Sequence, residues 1–324
     1  MRAVVCEAFG GPEVLAWREV PDPPPPGPDE IQVRIEARGV QYVDVLMLAG
    51  KYQFRPDPPF IPGNEAAGEV VAVGAGVTAF RVGDRVMSRH TLGACAQLAN
   101  AKAALCDPVP AGMSMEQAGV FRGAYNTAYH ALLQRGRLQA GEWVLVHGAA
   151  GGIGIAAIQV AKLFGAKVIA TASTEQKRAA CIEEGADHAI DYHGGFLDNV
   201  KKLTGDRGVD IAYDQIGAEV TEESLRCLAW GGRLLILGFL GGGPANIRSN
   251  YLLIKGIDAV GVRIGGLNEA APQLAIANMK ALSELAAEGK LRPRISYRFP
   301  LERAAEALQA VIDRKVIGKA VLVG

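Results

Sequence analysis

The chain has 324 residues, 49% of them hydrophobic, and its 34 basic and 34 acidic residues cancel to a net charge of zero. A neutral chain lacks the basic surface that holds nucleic acids or anionic membranes, so we expect neither partner. No apolar run reaches the roughly 20 residues that a membrane-spanning helix needs. The first residues, MRAVVCEAFGG, lack the apolar core of a secretory signal. A chain of this length is expected to form two domains.

Short apolar and alternating patterns predict β-strands in the first part of the chain. They cover residues 3–6, 15–20, 31–37, 69–73 and 84–87. The proline-rich stretch PDPPPPGP at residues 21–28 is interpreted as a stiff connection between strands rather than a ligand for proline-binding domains. The sequence therefore predicts a β-rich first domain with many turns.

From Trp143 onward the pattern changes to an alternation of strands and helices. The predicted strands are residues 143–147, 166–171, 187–192, 209–214, 233–238 and 258–262. Helical stretches separate the first five, and Gly165, Gly185 and Gly231 stand where helix ends need a left-handed residue. This alternation predicts an α/β fold with a doubly wound parallel sheet.

The last 50 residues do not continue this alternation in an obvious way. The pattern predicts a helix at 274–288, a strand at 294–298, a helix after Pro300 and a terminal strand at 319–323. We expect these elements to fold back onto the first domain.

A glycine-rich turn joins the first two strands of the alternating part. Residues 143–171 read as strand, turn, helix and strand, the unit that binds dinucleotides. Gly151 and Gly152 let the backbone approach a pyrophosphate, and Gly154 lets helix and strand pack closely. Ala149 occupies the first position of the usual three-glycine pattern, which also fits a turn without a ligand. The amphipathic helix and β-branched strands around the turn favour dinucleotide binding.

The end of the second strand indicates which dinucleotide is bound. NAD sites usually place a carboxylate there for the ribose 2′-hydroxyl, whereas this chain has Ser173, Thr174 and then Lys177. These residues suit the 2′-phosphate of NADPH, and one lysine–phosphate contact is worth about 1.5 to 3 kcal/mol. That energy corresponds to a preference of roughly tenfold to a hundredfold. The alternative is that Ser173 or Thr174 caps the next helix and Lys177 is solvated, and both interpretations can hold together.

The five cysteines are scattered along the chain and odd in number: Cys6, Cys95, Cys106, Cys181 and Cys227. This usage is typical of free thiols in a reducing compartment, with packing as their role. We therefore expect a cytoplasmic protein.

Several motifs in order resemble the zinc-independent quinone oxidoreductases, relatives of zeta-crystallin in the medium-chain dehydrogenase/reductase superfamily. They are GVQYVDVLMLAGKY (39–52), PFIPGNEAAGEVVAVG (59–74), NTAYHALL (126–133), GEWVLVHGAAGGIG (141–154) and GKAVLV (318–323). The resemblance implies a GroES-like catalytic domain at residues 1–122 and 264–324 and a Rossmann NADPH-binding domain at 123–263. It also implies an active site in the cleft between the domains and a homodimer formed through edge strands.

Zinc-dependent relatives differ at the positions that hold the metal. They carry cysteine where this chain has Gln41 and histidine where it has Asn64. Amides bind Zn²⁺ poorly compared with thiolate and imidazole. The closely spaced cysteines of a structural zinc lobe are also missing. The expectation is therefore that the protein holds no metal.

The resemblance implies catalytic donors at Gln41, Tyr52 and Asn64. A tyrosine hydroxyl can donate a hydrogen bond, although Tyr52 could equally be a packing residue at a loop edge. The residues implied at the cofactor are Thr127, Gly151, Gly152, Ile153, Ser173, Lys177, Tyr192, Ile216, Gly238, Phe239 and Lys319. For Lys319, a plain surface lysine is the alternative.

The leading functional hypothesis is an NADPH-dependent quinone reductase that works without metal. Quinones and conjugated enones accept hydride readily because the product is a stabilised phenolate or enolate. The enzymatic alternative is therefore an NADPH-dependent reductase of the C=C bond of enones or enoyl thioesters. A third hypothesis, from another class, is a non-catalytic NADPH-binding structural or RNA-associated protein, for which the zero net charge gives little support.

Overall fold

The computed structural model describes all residues, 1–324, and divides the chain into two compact units. The first unit contains Met1–Gly123 and Ser283–Gly324, and the second contains Ala124–Leu282. The second break lies after the predicted position of 264, so residues 264–282 belong to the second unit. Asn278 shows why, because its side chain forms hydrogen bonds with Gln134 and Asn126 of that unit.

The chain forms fifteen strands and ten α-helices. The strands are β1 (Arg2–Cys6), β2 (Leu15–Glu19), β3 (Glu30–Val40), β4 (Glu65–Val73), β5 (Arg85–Arg89), β6 (Leu98–Lys102), β7 (Cys106–Pro108), β8 (Trp143–Val146), β9 (Lys167–Thr171), β10 (His188–Ile190), β11 (Val209–Asp214), β12 (Leu228–Ile236), β13 (Asp258–Gly261), β14 (Ile295–Pro300) and β15 (Lys319–Val323). The helices are α1 (Tyr42–Leu48), α2 (Met115–Tyr129), α3 (Gly152–Leu163), α4 (Glu175–Glu183), α5 (Leu197–Thr204), α6 (Ala218–Cys227), α7 (Ser249–Lys255), α8 (Ile264–Ala270), α9 (Pro272–Ala287) and α10 (Ala304–Ile312). None of these helices has both the length and the apolar character required to cross a bilayer.

The first unit is built around a seven-stranded sheet. Strands run in the order β14-β15-β3-β4-β5-β7, β6 pairs with β3, and β1 and β2 form a separate antiparallel pair. In β3, Ile31, Val33 and Ile35 are buried at every second position, which is the period of a strand with one face in the core. Strand β15 pairs with β3, so the last strand lies in the first unit, whereas most of the helix expected at 274–288 belongs to the second unit.

The second unit contains a six-stranded parallel sheet in the order β10-β9-β8-β11-β12-β13. The order reverses at β8, as in dinucleotide-binding folds, so the predicted doubly wound sheet is confirmed. Helix α3 packs on this sheet through buried Ile155, Ile158 and Val160. Its apolar positions are those expected from the helical period.

One predicted glycine role is wrong. Gly165 and Gly185 do follow helices α3 and α4, with φ of 79° and 105°. Gly231, with φ of 72°, lies inside β12, which starts at Leu228 directly after α6. The pairing between β11 and β12 changes register at this point, and glycine provides the positive φ that an irregular strand needs.

All five cysteines are buried and none forms a disulfide, as predicted. Cys6 and Cys95 pack in one core cluster of the first unit, and Cys227 packs in the core of the second. Burial raises the pKa of Cys95 and of Cys227 to about 12, so both thiols are protonated at neutral pH. These cysteines serve in packing, while the cytoplasmic location stays a prediction.

Candidate functional site

The glycine-rich turn follows β8 and leads directly into α3. Gly151 is the N-cap of the helix in extended conformation, and no side chain caps it. The first N–H groups of the 12-residue helix therefore have no side-chain acceptor and point out of its N-terminus. Together with the helix dipole they form a site for an anionic group such as a pyrophosphate. Gly152 and Ile153, both predicted at the cofactor, are the first two residues of this helix.

Two glycines fix the shape of the turn. A Cβ on Gly154 would lie 2.5 Å from the carbonyl oxygen of Gly148 and 2.6 Å from Cα of Ala149, so only glycine fits. Gly148 has a φ of 58° and provides the left-handed residue of the turn, while Ala149 is fully buried behind it. Gly148 is not among the residues predicted from the sequence, although its place directly after the strand marks it as part of the turn.

Buried polar side chains form hydrogen bonds that support the glycine-rich turn. Nε2 of Gln215 donates to the carbonyl oxygens of His147 and Gly148, at 3.0 and 3.2 Å. The ring of His147 contacts Oγ1 of Thr171 at 3.0 Å and Oγ of Ser224 at 2.8 Å. Burial lowers the pKa of His147, so the ring is neutral at pH 7. No local pattern marked Gln215, because the turn that it supports lies far away in the sequence.

The end of β9 places the residues predicted for the 2′-phosphate on one short segment. Oγ1 of Thr174 accepts a hydrogen bond from the backbone N–H of Lys177 at 3.2 Å, so the capping interpretation holds for Thr174. Ser173 is half-buried, and its hydroxyl makes no hydrogen bond within the protein. Lys177 is half-buried rather than fully solvated. A capped helix and a phosphate site are therefore compatible here.

The other predicted cofactor residues of the second unit follow neighbouring strands. Tyr192 comes after β10, Ile216 after β11, and Gly238 and Phe239 after β12. Because these strands are parallel, their carboxyl ends share one edge of the sheet with the glycine turn and Ser173. We call this edge the coenzyme edge. Thr127 lies apart from it in sequence, buried on α2.

In the first unit, two predicted catalytic residues are joined directly. Nε2 of Gln41 donates to Oδ1 of Asn64 at 3.0 Å. Gln41 is the N-cap of α1, and its backbone N–H donates to Oδ2 of Asp44 at 2.8 Å. Asp44 is buried, which raises its pKa to about 7, and its Oδ1 has no hydrogen-bond partner. The position of Gln41 thus depends on a buried carboxyl group three residues away.

A buried ion pair lies beside this contact. Nζ of Lys319 lies 3.1 Å from Oε1 of Glu65, and the other oxygen, Oε2, accepts the backbone N–H of Gly123 at 2.8 Å. Lys319 is only 7% exposed, so the alternative of a surface lysine is wrong. We call Gln41, Asn64, Glu65 and Lys319 the polar cluster. Glu65 was not predicted as a site residue, and the predicted contact of Lys319 with the cofactor stays a prediction.

Tyr52 lies in the segment between α1 and β4. It is half-buried, and its hydroxyl makes no hydrogen bond within the protein, including with Gln41 or Asn64. Of the three predicted catalytic residues, Gln41 and Asn64 are therefore hydrogen-bonded to each other, and Tyr52 is bonded to neither. Nowhere in the chain do three histidine, cysteine or acidic side chains converge as a metal site would require.

Known proteins share this architecture along the whole chain. Residues 27–135 match the family described as alcohol dehydrogenase GroES-like domain, and residues 152–281 match the family described as zinc-binding dehydrogenase. Quinone oxidoreductase-like protein 2 of Mus musculus is 38% identical over 323 residues, 99% of this chain and 91% of that protein. Quinone oxidoreductase of Homo sapiens is 34% identical over 314 residues, 96% of this chain and 94% of that protein.

A solved structure extends this similarity to three dimensions. Escherichia coli quinone oxidoreductase, complexed with NADPH, is 31% identical, with a TM-score of 0.93 over 100% of both chains. The motifs, the sheet order and these relatives agree, and the chain belongs to the quinone oxidoreductase family of the medium-chain dehydrogenase/reductase superfamily.

Proposed function

We propose that this oxidoreductase is a quinone reductase that uses NADPH and no metal. The observation that carries the proposal is the coenzyme edge. There, an uncapped helix N-terminus lies next to a strand end that has Ser173 and Lys177 in place of a carboxylate. The NADPH bound to the Escherichia coli relative supports the same choice of coenzyme.

The absence of zinc is inferred from the chemistry of the donors. Gln41 and Asn64 stand where zinc-dependent relatives carry thiolate and imidazole, and their amide groups bond to each other. The buried carboxylate next to them, Glu65, is already engaged by Lys319 and by the backbone. These residues do not form a ligand set that Zn²⁺ prefers, although one matching family carries zinc in its name.

Without a Lewis acid, the polar groups of the protein must stabilise the oxygen that gains negative charge. NADPH supplies the hydride from its nicotinamide ring. The amide of Asn64 donates no hydrogen bond within the protein, so its N–H groups are available to a substrate oxygen. Gln41 holds the oxygen of this amide and thereby orients the donor. Preorganised donors of this kind typically contribute about 10²–10³ in rate.

The proposal is tested by steady-state oxidation of NADPH and NADH with 1,4-naphthoquinone, 9,10-phenanthrenequinone and a set of cyclic enones. The protein should be analysed for zinc and purified without chelators. We expect faster turnover with NADPH than with NADH, quinones as the best acceptors, and less than stoichiometric zinc. Equal use of both coenzymes, or one tightly held zinc per chain, contradicts the proposal. Tight NADPH binding without turnover of any acceptor would favour the binding-protein hypothesis.

Tyr52 favours alkene reduction as the second candidate function. Its hydroxyl is not used within the protein and could give a proton to the carbon that becomes saturated when an enone or enoyl thioester is reduced. Replacing Tyr52→Phe should then slow alkene reduction or change its stereochemistry, and leave quinone turnover nearly unchanged. Equal loss of both activities would assign Tyr52 a structural role.

The predicted homodimer is supported by an exposed edge of the second unit. Strand β13 is the last strand of the parallel sheet, and it presents unpaired backbone groups. Trp230, Leu253 and Ile254 are 78%, 82% and 67% exposed, an unusual concentration of apolar surface. We propose that a second copy of the chain covers this surface. Sedimentation should give a dimer, and Leu253→Asp should shift it toward the monomer; a monomeric parent chain contradicts the proposal.

A further inference from the structure

We propose that Arg178 and Asp191 together determine the coenzyme preference, because Arg178 neutralises a carboxylate that would otherwise repel the 2′-phosphate. This inference rests on the proposed function, since it assumes that NADPH binds at the coenzyme edge. Neither Arg178 nor Asp191 is among the residues predicted from the sequence to contact the coenzyme.

Arg178 brings its guanidinium group to the end of β9. It follows Lys177 on α4, and its NH1 donates to the carbonyl oxygen of Ala172 at 3.2 Å and to Oδ2 of Asp191 at 3.0 Å. Ala172 immediately precedes Ser173, so the positive charge lies next to the segment predicted to hold the phosphate. The Arg178 side chain is 26% exposed, which places it partly out of the solvent.

Asp191 reaches the same place from the neighbouring strand. It follows β10 directly and precedes Tyr192, which is also predicted at the phosphate. Its Oδ1 accepts hydrogen bonds from the backbone N–H of His193 at 2.9 Å and from the ring of His193 at 2.7 Å. The backbone N–H of His193 is the main cause of the lowered pKa of Asp191, so this carboxylate is ionised at neutral pH.

The coenzyme edge therefore contains a carboxylate after all, although not where the sequence pattern looks for one. NAD sites place their carboxylate at the end of the second strand of the parallel sheet, and here it follows β10, the third strand of that sheet in chain order. An unscreened carboxylate at this place would favour the 2′-hydroxyl of NADH over the phosphate of NADPH. Two like charges a few ångströms apart near a protein surface interact strongly enough to change affinity by about tenfold. Arg178 cancels this repulsion.

Two other roles of Arg178 make different predictions. If Arg178 only links the ends of β9 and β10, its loss should weaken the binding of both coenzymes alike. If Arg178 binds the phosphate itself, its loss should weaken the binding of NADPH whether or not Asp191 is charged. In our proposal its loss matters only while Asp191 is charged.

The test is a double-mutant cycle of Arg178→Met and Asp191→Asn. Dissociation constants of NADPH and NADH are measured by calorimetry at low and high salt, and unfolding temperatures are measured in parallel. We expect R178M to weaken NADPH binding about tenfold and NADH binding little, D191N to leave NADPH binding near the parent value, and the double variant to return to that value. High salt should reduce these differences.

Lys162→Met is the matched control. Lys162 forms an ion pair with Asp187 at 2.8 Å in the same unit, with similar exposure, but it lies at the far end of α3 from the coenzyme edge. The Lys162→Met substitution should leave the ratio of the NADPH and NADH dissociation constants unchanged. Equal weakening of both coenzymes in R178M, or a double variant as weak as R178M, overturns the inference. A parent protein without preference for NADPH instead overturns the proposed function.

Discussion

The coenzyme edge and the polar cluster differ in what they are made of. At the coenzyme edge the main features are backbone features: a helix N-terminus without a cap, a glycine with positive φ, and a glycine packed against the turn. In the polar cluster they are side chains, and one residue, Lys319, lies 254 positions from its partner Glu65. The glycine turn of the coenzyme edge therefore depends on the absence of side chains, and the polar cluster depends on a balance of buried charges.

This difference determines how each region fails. A turn that only glycine fits is disturbed by a single methyl group, with its charges unchanged. A buried ion pair tolerates small changes of shape, but the loss of one partner leaves a charge in an apolar environment. Substitutions in the two regions should therefore reduce function or stability in these two different ways.

The largest effect is expected from Lys319→Met. It leaves the buried carboxylate of Glu65 with only the backbone N–H of Gly123, and breaking a buried pair in this way costs about 3–5 kcal/mol of stability. Urea denaturation measures the loss. Arg303→Met is the control, because its ion pair with Glu306 is exposed and should contribute at most about 1 kcal/mol. Similar losses in the two variants would mean that the polar cluster is not held by buried charge.

Gly154→Ala should disturb the coenzyme edge by shape alone. The added Cβ would lie 2.5 Å from a backbone oxygen, so α3 must move away from the turn. A displacement of about 1 Å can reduce turnover about a hundredfold, and we expect a loss of this size in kcat/KM for NADPH. Gly265→Ala is the control, since its Cβ would approach no atom nearer than 3.9 Å. An active Gly154→Ala variant would contradict the assigned role of the turn.

Lys177→Met probes the charge at the coenzyme edge. Loss of one lysine–phosphate contact should weaken NADPH roughly tenfold to a hundredfold and leave NADH nearly unchanged. Fluorescence titration with both coenzymes measures the two dissociation constants. If both constants change by the same factor, Lys177 has no contact with the 2′-phosphate.

Asp44→Asn should change how the stability of the chain depends on pH. Asp44 lies near Glu65 and Lys319, and burial raises its pKa from the ordinary 3.8 to about 7. Between these values the folded chain keeps a proton that the unfolded chain has lost, so the contribution of Asp44 to stability falls as pH rises. The slope is at most about 1.4 kcal/mol per pH unit. In denaturation experiments from pH 4 to 8, the stability of Asp44→Asn relative to the parent chain should therefore increase as the pH rises. A difference in stability that does not change with pH contradicts this.

The same contrast explains what the sequence could predict. Strand periods, the helix after the glycine turn and the missing carboxylate after β9 are local patterns, and the structure has them where they were expected. Gly231 was misplaced because a glycine with positive φ suits an irregular strand as well as a helix end. Local patterns also do not show to which unit α8 and α9 belong, because neither adds a strand to a sheet.

Side-chain partners distant in sequence could not be predicted. Nothing around Lys319 indicates that it is buried against Glu65, and nothing around Gln215 indicates that it supports the turn at Gly148. Arg178 and Asp191 are similar, since each lies in an ordinary polar segment and only the adjacent strand ends bring them together. The sequence shows that these residues are polar or charged, whereas their hydrogen-bond partners are determined by the fold.

A crystal structure of the chain with NADPH bound is the most direct test of the account. We predict that the pyrophosphate lies at the N-terminus of α3 and that the 2′-phosphate lies within hydrogen-bond distance of Oγ of Ser173 and Nζ of Lys177. The amides of Gln41 and Asn64 should have no metal between them. A phosphate bound elsewhere, with both side chains turned away, or a metal between the two amides, would contradict it.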